Sequence, residues 1–140
     1  MAESTYGFHF RYRMSGAPPT IVEITAADTA TYYKGDFVSL ESSEVDPSTT
    51  DDTTFLGVVV ETKACTASTT GIKVIIDRDA VYGVYDPNAR AFGAPLDIAG
   101  THGTFTVAAV TNTDFIVVAP STATEETLVM VASGEHAFDA

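Results

Sequence analysis

"FLGVVVE", residues 55 to 61, is the stretch on which the fold turns. The run is short, rich in valine and set between polar segments, the pattern of a brief strand rather than of a helix. Its apolar residues are consecutive instead of alternating, so a strand here is apolar on both faces. It is expected to be a central or interface strand, with cover needed on both sides.

The same pattern recurs on either side. "IVEIT" (21 to 25), "DFVSL" (36 to 40), "IKVIID" (72 to 77), "AVYGVY" (80 to 85), "PLDI" (95 to 98), "TFTVAAV" (104 to 110), "DFIVVA" (114 to 119) and "TLVMVA" (127 to 132) lie between clusters of Gly, Pro, Asn, Asp, Ser and Thr. In "IKVIID", Ile72, Val74 and Ile76 alternate onto one face, whereas "FIVVA" is apolar on both. "TNTD" (111 to 114) predicts a hairpin joining 104–110 to 114–119. "STATEETL" (121 to 128) carries the one helical hint, a cap and a single turn. "ESSEVDPSTTDDTT" (41 to 54) reads as a solvated acidic loop and "TASTTG" (66 to 71) as a polar connector. The expected fold is all-β, a single compact barrel or sandwich.

A chain of 140 residues fits one domain, and 45% apolar against 19% charged residues is the balance of a folded protein. Nineteen Asp and Glu against seven Lys and Arg leave a net charge of −12, which repels phosphate backbones and anionic lipid heads, so neither nucleic acid nor membrane is an expected partner. No run approaches the roughly 18 apolar residues of a membrane span, and the N-terminus lacks a signal-peptide apolar region; the expectation is a soluble protein made in cytoplasm. The single cysteine, Cys65, excludes an internal disulfide and reads as a small buried hydrophobe.

"GFHFRYR" (7 to 13) places two of the seven basic residues in an aromatic segment, separated from the first core strand by "SGAPPT". The reading adopted is an N-terminal arm over residues 1–20 in front of a β domain over 21–140. Tyr6, Phe8, Phe10, Arg11, Tyr12 and Arg13 are then interface residues, with rings to bury and arginines to pair with a neighbour's acidic groups. The alternative is an ordinary first strand, with Phe8, Phe10 and Tyr12 on one face and His9, Arg11 and Arg13 on the other. Both hold if the segment adds as a strand to an adjacent subunit's sheet.

No convergent chemistry is legible. His9, His102 and His136 lack zinc-ligand spacing, and "KACTA" around Cys65 lacks a nucleophile elbow. Asp46, Asp51 and Asp52 supply oxygens for calcium but not the order of a dedicated calcium loop. Asp77 and Asp79 flank Arg78 as in a turn with an ion pair, and "GTHGT" (100 to 104) reads as a turn. The expectation is no catalytic residue, no metal and no cofactor, and hence no enzyme.

"YYKGDFVSL", then "FLGVVVETKA", then "GIKVIIDRDAVYGVYD", followed by "PLDIAGTHGTFTVAAVTNTDFIVVAPSTATEETLVMV", is similar to the order seen in head decoration (cement) proteins of tailed bacteriophages, over roughly residues 21 to 132. The resemblance implies a β-tulip-like, non-enzymatic virion protein. It would bind the outer surface of the assembled head through the major capsid protein, self-associate as a homotrimer or dimer, and stabilise the shell. Two other readings stay open: a tail or baseplate component, and a carbohydrate-binding β module using Tyr32, Tyr33, Tyr82 and Tyr85 in a chain without tryptophan.

Overall fold

The structure, a computed structural model, describes residues 7–50, 52–86, 88–108, 112–119 and 125–139. Its strands are β1 (Phe8–Arg13), β2 (Ile21–Thr25), β3 (Ala30–Tyr32), β4 (Phe37–Glu41), β5 (Glu44–Pro47), β6 (Phe55–Val58), β7 (Lys63–Cys65), β8 (Gly71–Ile75), β9 (Ala80–Asp86), β10 (Pro95–Ala99), β11 (Thr106–Ala108), β12 (Phe115–Ala119) and β13 (Glu125–Val131). One turn of 3-10 helix, Ala137–Asp139, follows. The largest sheet has the order β1-β9-β13-β12-β10-β11; β5-β4-β6, β2-β8 and β3-β7 form smaller ones. The protein is therefore all-β, and among the described residues no sheet closes into a barrel.

β6 lies between two apolar clusters. Phe55 and Val58 belong to a cluster built on the six-stranded sheet with Phe8, Tyr82, Phe115 and Val129. Leu56 and the following Val59 belong to a second cluster with Tyr32, Val38, Val45, Ile72 and Val74. Neighbouring β4 divides in the same way, Phe37 to the first and Val38 to the second. The run that is apolar on both faces is thus covered on both faces inside one chain. Phe37 organises the first cluster, with ring centroids 5.0 Å from Phe8, 5.1 Å from Phe115, 5.2 Å from Tyr82 and 6.0 Å from Phe55, the spacing of favourable edge-on aromatic pairs.

Four expectations are corrected. Residues 8–13 are not a detached arm: β1 pairs antiparallel with β9 from Phe8↔Val84 to Arg13↔Ala80, and Phe8 is 0% exposed. The acidic stretch 41–54 contains β5, because Ser42 and Ser43 at φ 47° and 71° form a tight turn between Glu41 and Glu44, which sends Val45 into the core. Strands 106–108 and 115–119 do not form a hairpin, since both pair with β10, which lies between them. Asp97 and Asp114 drive that insertion. Asp97 accepts hydrogen bonds from Asn112 N at 3.1 Å and Thr113 N at 2.8 Å, and Asp114 accepts one from Ile98 N at 2.9 Å. Finally, of the helical hint at 121–128 the described part, 125–128, is strand, where Thr127 pairs with Val84 and is fully buried; 121–124 lie outside the described residues.

Because Phe8 packs against Phe37 and Phe115, Phe8→Ala is expected to lower unfolding stability by about 3–5 kcal/mol, the usual range for emptying a phenylalanine site. Chemical denaturation measures this, and a free arm would leave the midpoint unmoved.

Candidate interaction surface

β1 turns its chemistry outward through a bulge. Phe10 pairs with Tyr82 and Tyr12 with Val81, so Arg11 has no residue opposite and the alternation of faces shifts. Phe10 stays packed on the core, while Tyr12 is 43% exposed. The freed Arg11 reaches across β9 to β13, where Glu126 receives it in a two-pronged ion pair with Nε–Oε1 at 2.7 Å. Gly83 of β9 makes this crossing possible: a Cβ there would lie 2.1 Å from Glu126 Oε1. The Gly of "VYGVY" leaves a bare backbone over which a carboxylate and a guanidinium meet.

The connector after β1 is clipped to the turn before β9. Arg13 Nε lies 2.8 Å from Asp79 and its Nη1 3.4 Å from Asp77. Met14 N donates to Asp79 O, Ser15 N to the Asp79 carboxylate, and Thr20 N to Asp77 at 2.6 Å. Burial pushes Asp79 upward in pKa, but the hydrogen bonds from Arg13 and Ser15 outweigh it and hold the group below the usual carboxylate value. "SGAPPT" is therefore an ordered connector, flanked by two exposed apolar residues, Met14 at 60% and Ile21 at 47%.

Of the expected interface residues, Phe8 is interior, Phe10 is largely so, Arg11 and Arg13 hold acidic partners in the same chain, and Tyr12 is free for contact. Tyr6 lies outside the described residues. Met14 and Ile21 are further exposed apolar residues that the structure adds to Tyr12. The missed signal was the two acids of "DRD", which capture Arg13 and the connector rather than pairing with Arg78, whose Nη1 donates to Val131 O.

The remaining candidates resolve into packing and turns. Cys65 is buried in the second cluster, and burial raises its thiol pKa. "GTHGT" is a turn that docks on the opener of β4: Asp36, 1% exposed, accepts from Tyr33 N at 2.9 Å, Gly103 N at 2.8 Å and the His102 ring Nδ1 at 2.7 Å. His102 Nε2 is sealed from solvent without a hydrogen-bond partner, so an outside substrate does not reach it. Tyr32 and Tyr82 are fully buried and Tyr85 is half-buried, leaving Tyr33 as the exposed member of the proposed sugar platform. Among the described residues no group of three His, Cys, Asp or Glu stands ready to hold a metal; Asp51 lies outside them.

No family model matches the chain, and no curated protein matches its sequence.

Asp46 of β5 is a perturbed carboxylate outside that surface. Burial, then the neighbouring Asp28 and Glu41 carboxyls, push it up to about 7 from an ordinary 3.8. The folded state thus holds this proton more tightly than the unfolded chain does. Its contribution is fully present below about pH 4 and is lost as pH rises through about 7. Asp46→Asn, which cannot ionise, is expected to melt above the parent at pH 8 and to converge with it toward pH 5. Paired melting curves test this; a variant that melts below the parent at pH 8 contradicts it.

Proposed function

We propose that the protein is a head decoration protein of a tailed bacteriophage, a compact β-tulip-like domain that sits on the outer capsid surface, contacts the major capsid protein, associates as a homotrimer and stiffens the shell. The observation that carries this reading is the ordered, exposed run from Arg11 to Ile21. It presents Tyr12, Met14 and Ile21 on a backbone already held by Asp77 and Asp79, so docking pays little ordering entropy. Exposed apolar groups on a fixed backbone suit a protein partner.

The segments that resemble decoration proteins are structural in this chain. "KGD" supplies the Asp36 hub, "FLGVV" the strand between the two clusters, and "VYGVY" the crossing point for Arg11 and Glu126. A structural, non-enzymatic role is also supported by the groups with catalytic potential, since Asp36 and Cys65 are buried and the His102 ring is held by Asp36. The net charge of −12 leaves a surface suited to a partner that presents basic groups. Trimerisation rests on the exposed run and the resemblance alone, because β6 already has both faces covered in the monomer.

Met14→Asp combined with Ile21→Asp is expected to leave the melting temperature within the small range of surface substitutions, about 0.5 kcal/mol each. The double variant should lose both self-association in sedimentation and occupancy on expanded capsids prepared without their decoration protein. A parent protein that remains monomeric and fails to co-sediment with capsids overturns the decoration reading. A double variant that binds as well as the parent overturns only the surface.

A further inference from the structure

We infer that the strap from Met14 to Thr20 is a latch that opens and closes as one unit, that Asp77 and Asp79 are the positioning residues that keep it closed, and that the apolar surface docks only in the closed form. The effect on docking rests on the decoration reading; the latch itself does not. No residue from Met14 to Thr20 belongs to either apolar cluster, and every one but Pro19 is exposed. Polar contacts at its two ends are what hold the strap to the domain.

Asp79 holds the first end: its backbone carbonyl accepts from Met14 N at 3.0 Å and its Oδ2 from Ser15 N at 3.1 Å. Asp77, 9% exposed, holds the last: its Oδ2 accepts from Thr20 N at 2.6 Å, and Thr20 O accepts from Ile76 N at 3.1 Å. Arg13 joins the two ends. Its guanidinium lies 2.8 Å from Asp79 Oδ1 and 3.4 Å from Asp77 Oδ1, and its Nη1 donates to Pro18 O at 3.3 Å. Between the ends, Pro18 and Pro19 have fixed φ and no N–H to anchor, so this part swings as a stiff piece instead of melting residue by residue. Gly16, at φ 80° with nothing within 4 Å of where a Cβ would stand, is the hinge.

Cutting either end therefore loosens the other. Without Asp79, Arg13 loses the ion pair that aims it at Pro18 O, and the stiff Pro18–Pro19 piece carries the change to Thr20. A segment with few buried contacts opens locally, at a free energy well below that of global unfolding. Opening shifts Met14 relative to Ile21, the exposed residues at the two ends of the strap, and a partner would then have to order the strap as it binds, which weakens docking.

The test is amide hydrogen exchange, read by NMR on the full chain without capsids, followed by co-sedimentation with expanded capsids prepared without their decoration protein. In the parent, Ser15 and Thr20 should be protected to the same degree within about threefold, and less than the amides of β9. Asp79→Ala should speed exchange at Thr20, which Asp79 does not touch, at least about fivefold together with Ser15, and leave β9 unchanged. Asp79→Asn keeps an acceptor for Ser15 but no charge for Arg13; it should give the same joint rise to a smaller degree, and it decides the matter where Asp79→Ala does not fold. Exchange that rises at Ser15 alone overturns the latch, as do parent protections that differ by more than about tenfold. On capsids, Asp79→Ala should bind at least about fivefold more weakly than the parent. Unchanged binding alongside joint opening overturns the positioning role. A parent that does not bind capsids overturns the decoration reading and its docking consequence, while exchange alone still decides the latch.

Discussion

The contact between Gly57 and the Ile75 carbonyl is the constraint on which the rest of the fold depends. A Cβ at residue 57 would stand 1.6 Å from Ile75 O and 3.1 Å from the Tyr82 hydroxyl, so β6 can approach β8 and β9 this closely only with glycine there. That approach lets one short strand serve two cores. Phe55 and Val58 close the aromatic cluster over the six-stranded sheet, and Leu56 with Val59 closes the cluster around Tyr32 and Ile72. A wider spacing would leave both clusters with gaps along a common seam, and close-packed interiors lose dispersion contacts steeply with small separations.

The interaction surface follows from the same packing. Phe8 and Phe10 anchor β1 to the first cluster, and the extra residue at Arg11 then rotates Tyr12 outward. Ion pairs at the bulge and just after it, Arg11 with Glu126 and Arg13 with Asp77 and Asp79, hold the edge in place. Such pairs contribute little each when exposed, about 0–1 kcal/mol, so their role is to fix geometry rather than to supply stability. Burial and exposure are thereby divided along one strand, its first half committed to the core and its end, with the connector, facing solvent.

Much of the architecture was legible because composition and period 2 alternation report burial directly. "IVEIT" coincides with β2, and the runs at 36–40, 72–77, 80–85, 95–98 and 114–119 each locate a strand within a residue or two. Two of the three-residue strands were not legible: β3 and β7 are too short for any period, and they exist because Tyr32 and Cys65 pack in the second cluster. β5 was hidden by its acids, since the buried Val45 stands alone among Glu44, Asp46 and Pro47. β1 was ambiguous for a different reason. Alternation identified a strand, but nothing local said whose sheet it joined, and its partner β9 begins 67 residues away (80 − 13). The side-chain clusters were least legible of all, because Asp36 with His102, and Arg13 with Asp77 and Asp79, are brought together only by tertiary pairing.

The most direct test of this account is the stability of Gly57→Ala. With a backbone carbonyl in the space the new methyl needs, relief requires β6 to move and both clusters to open, beyond the about 1–3 kcal/mol typical of overpacking by a methylene. The account predicts a variant that fails to fold or melts at least about 10 °C below the parent, given roughly 2–4 °C per kcal/mol for a chain approaching this size. A Gly57→Ala protein that is folded and melts within about 2 °C of the parent, the shift of less than 1 kcal/mol, would contradict the claim that one glycine-bearing strand joins the two cores.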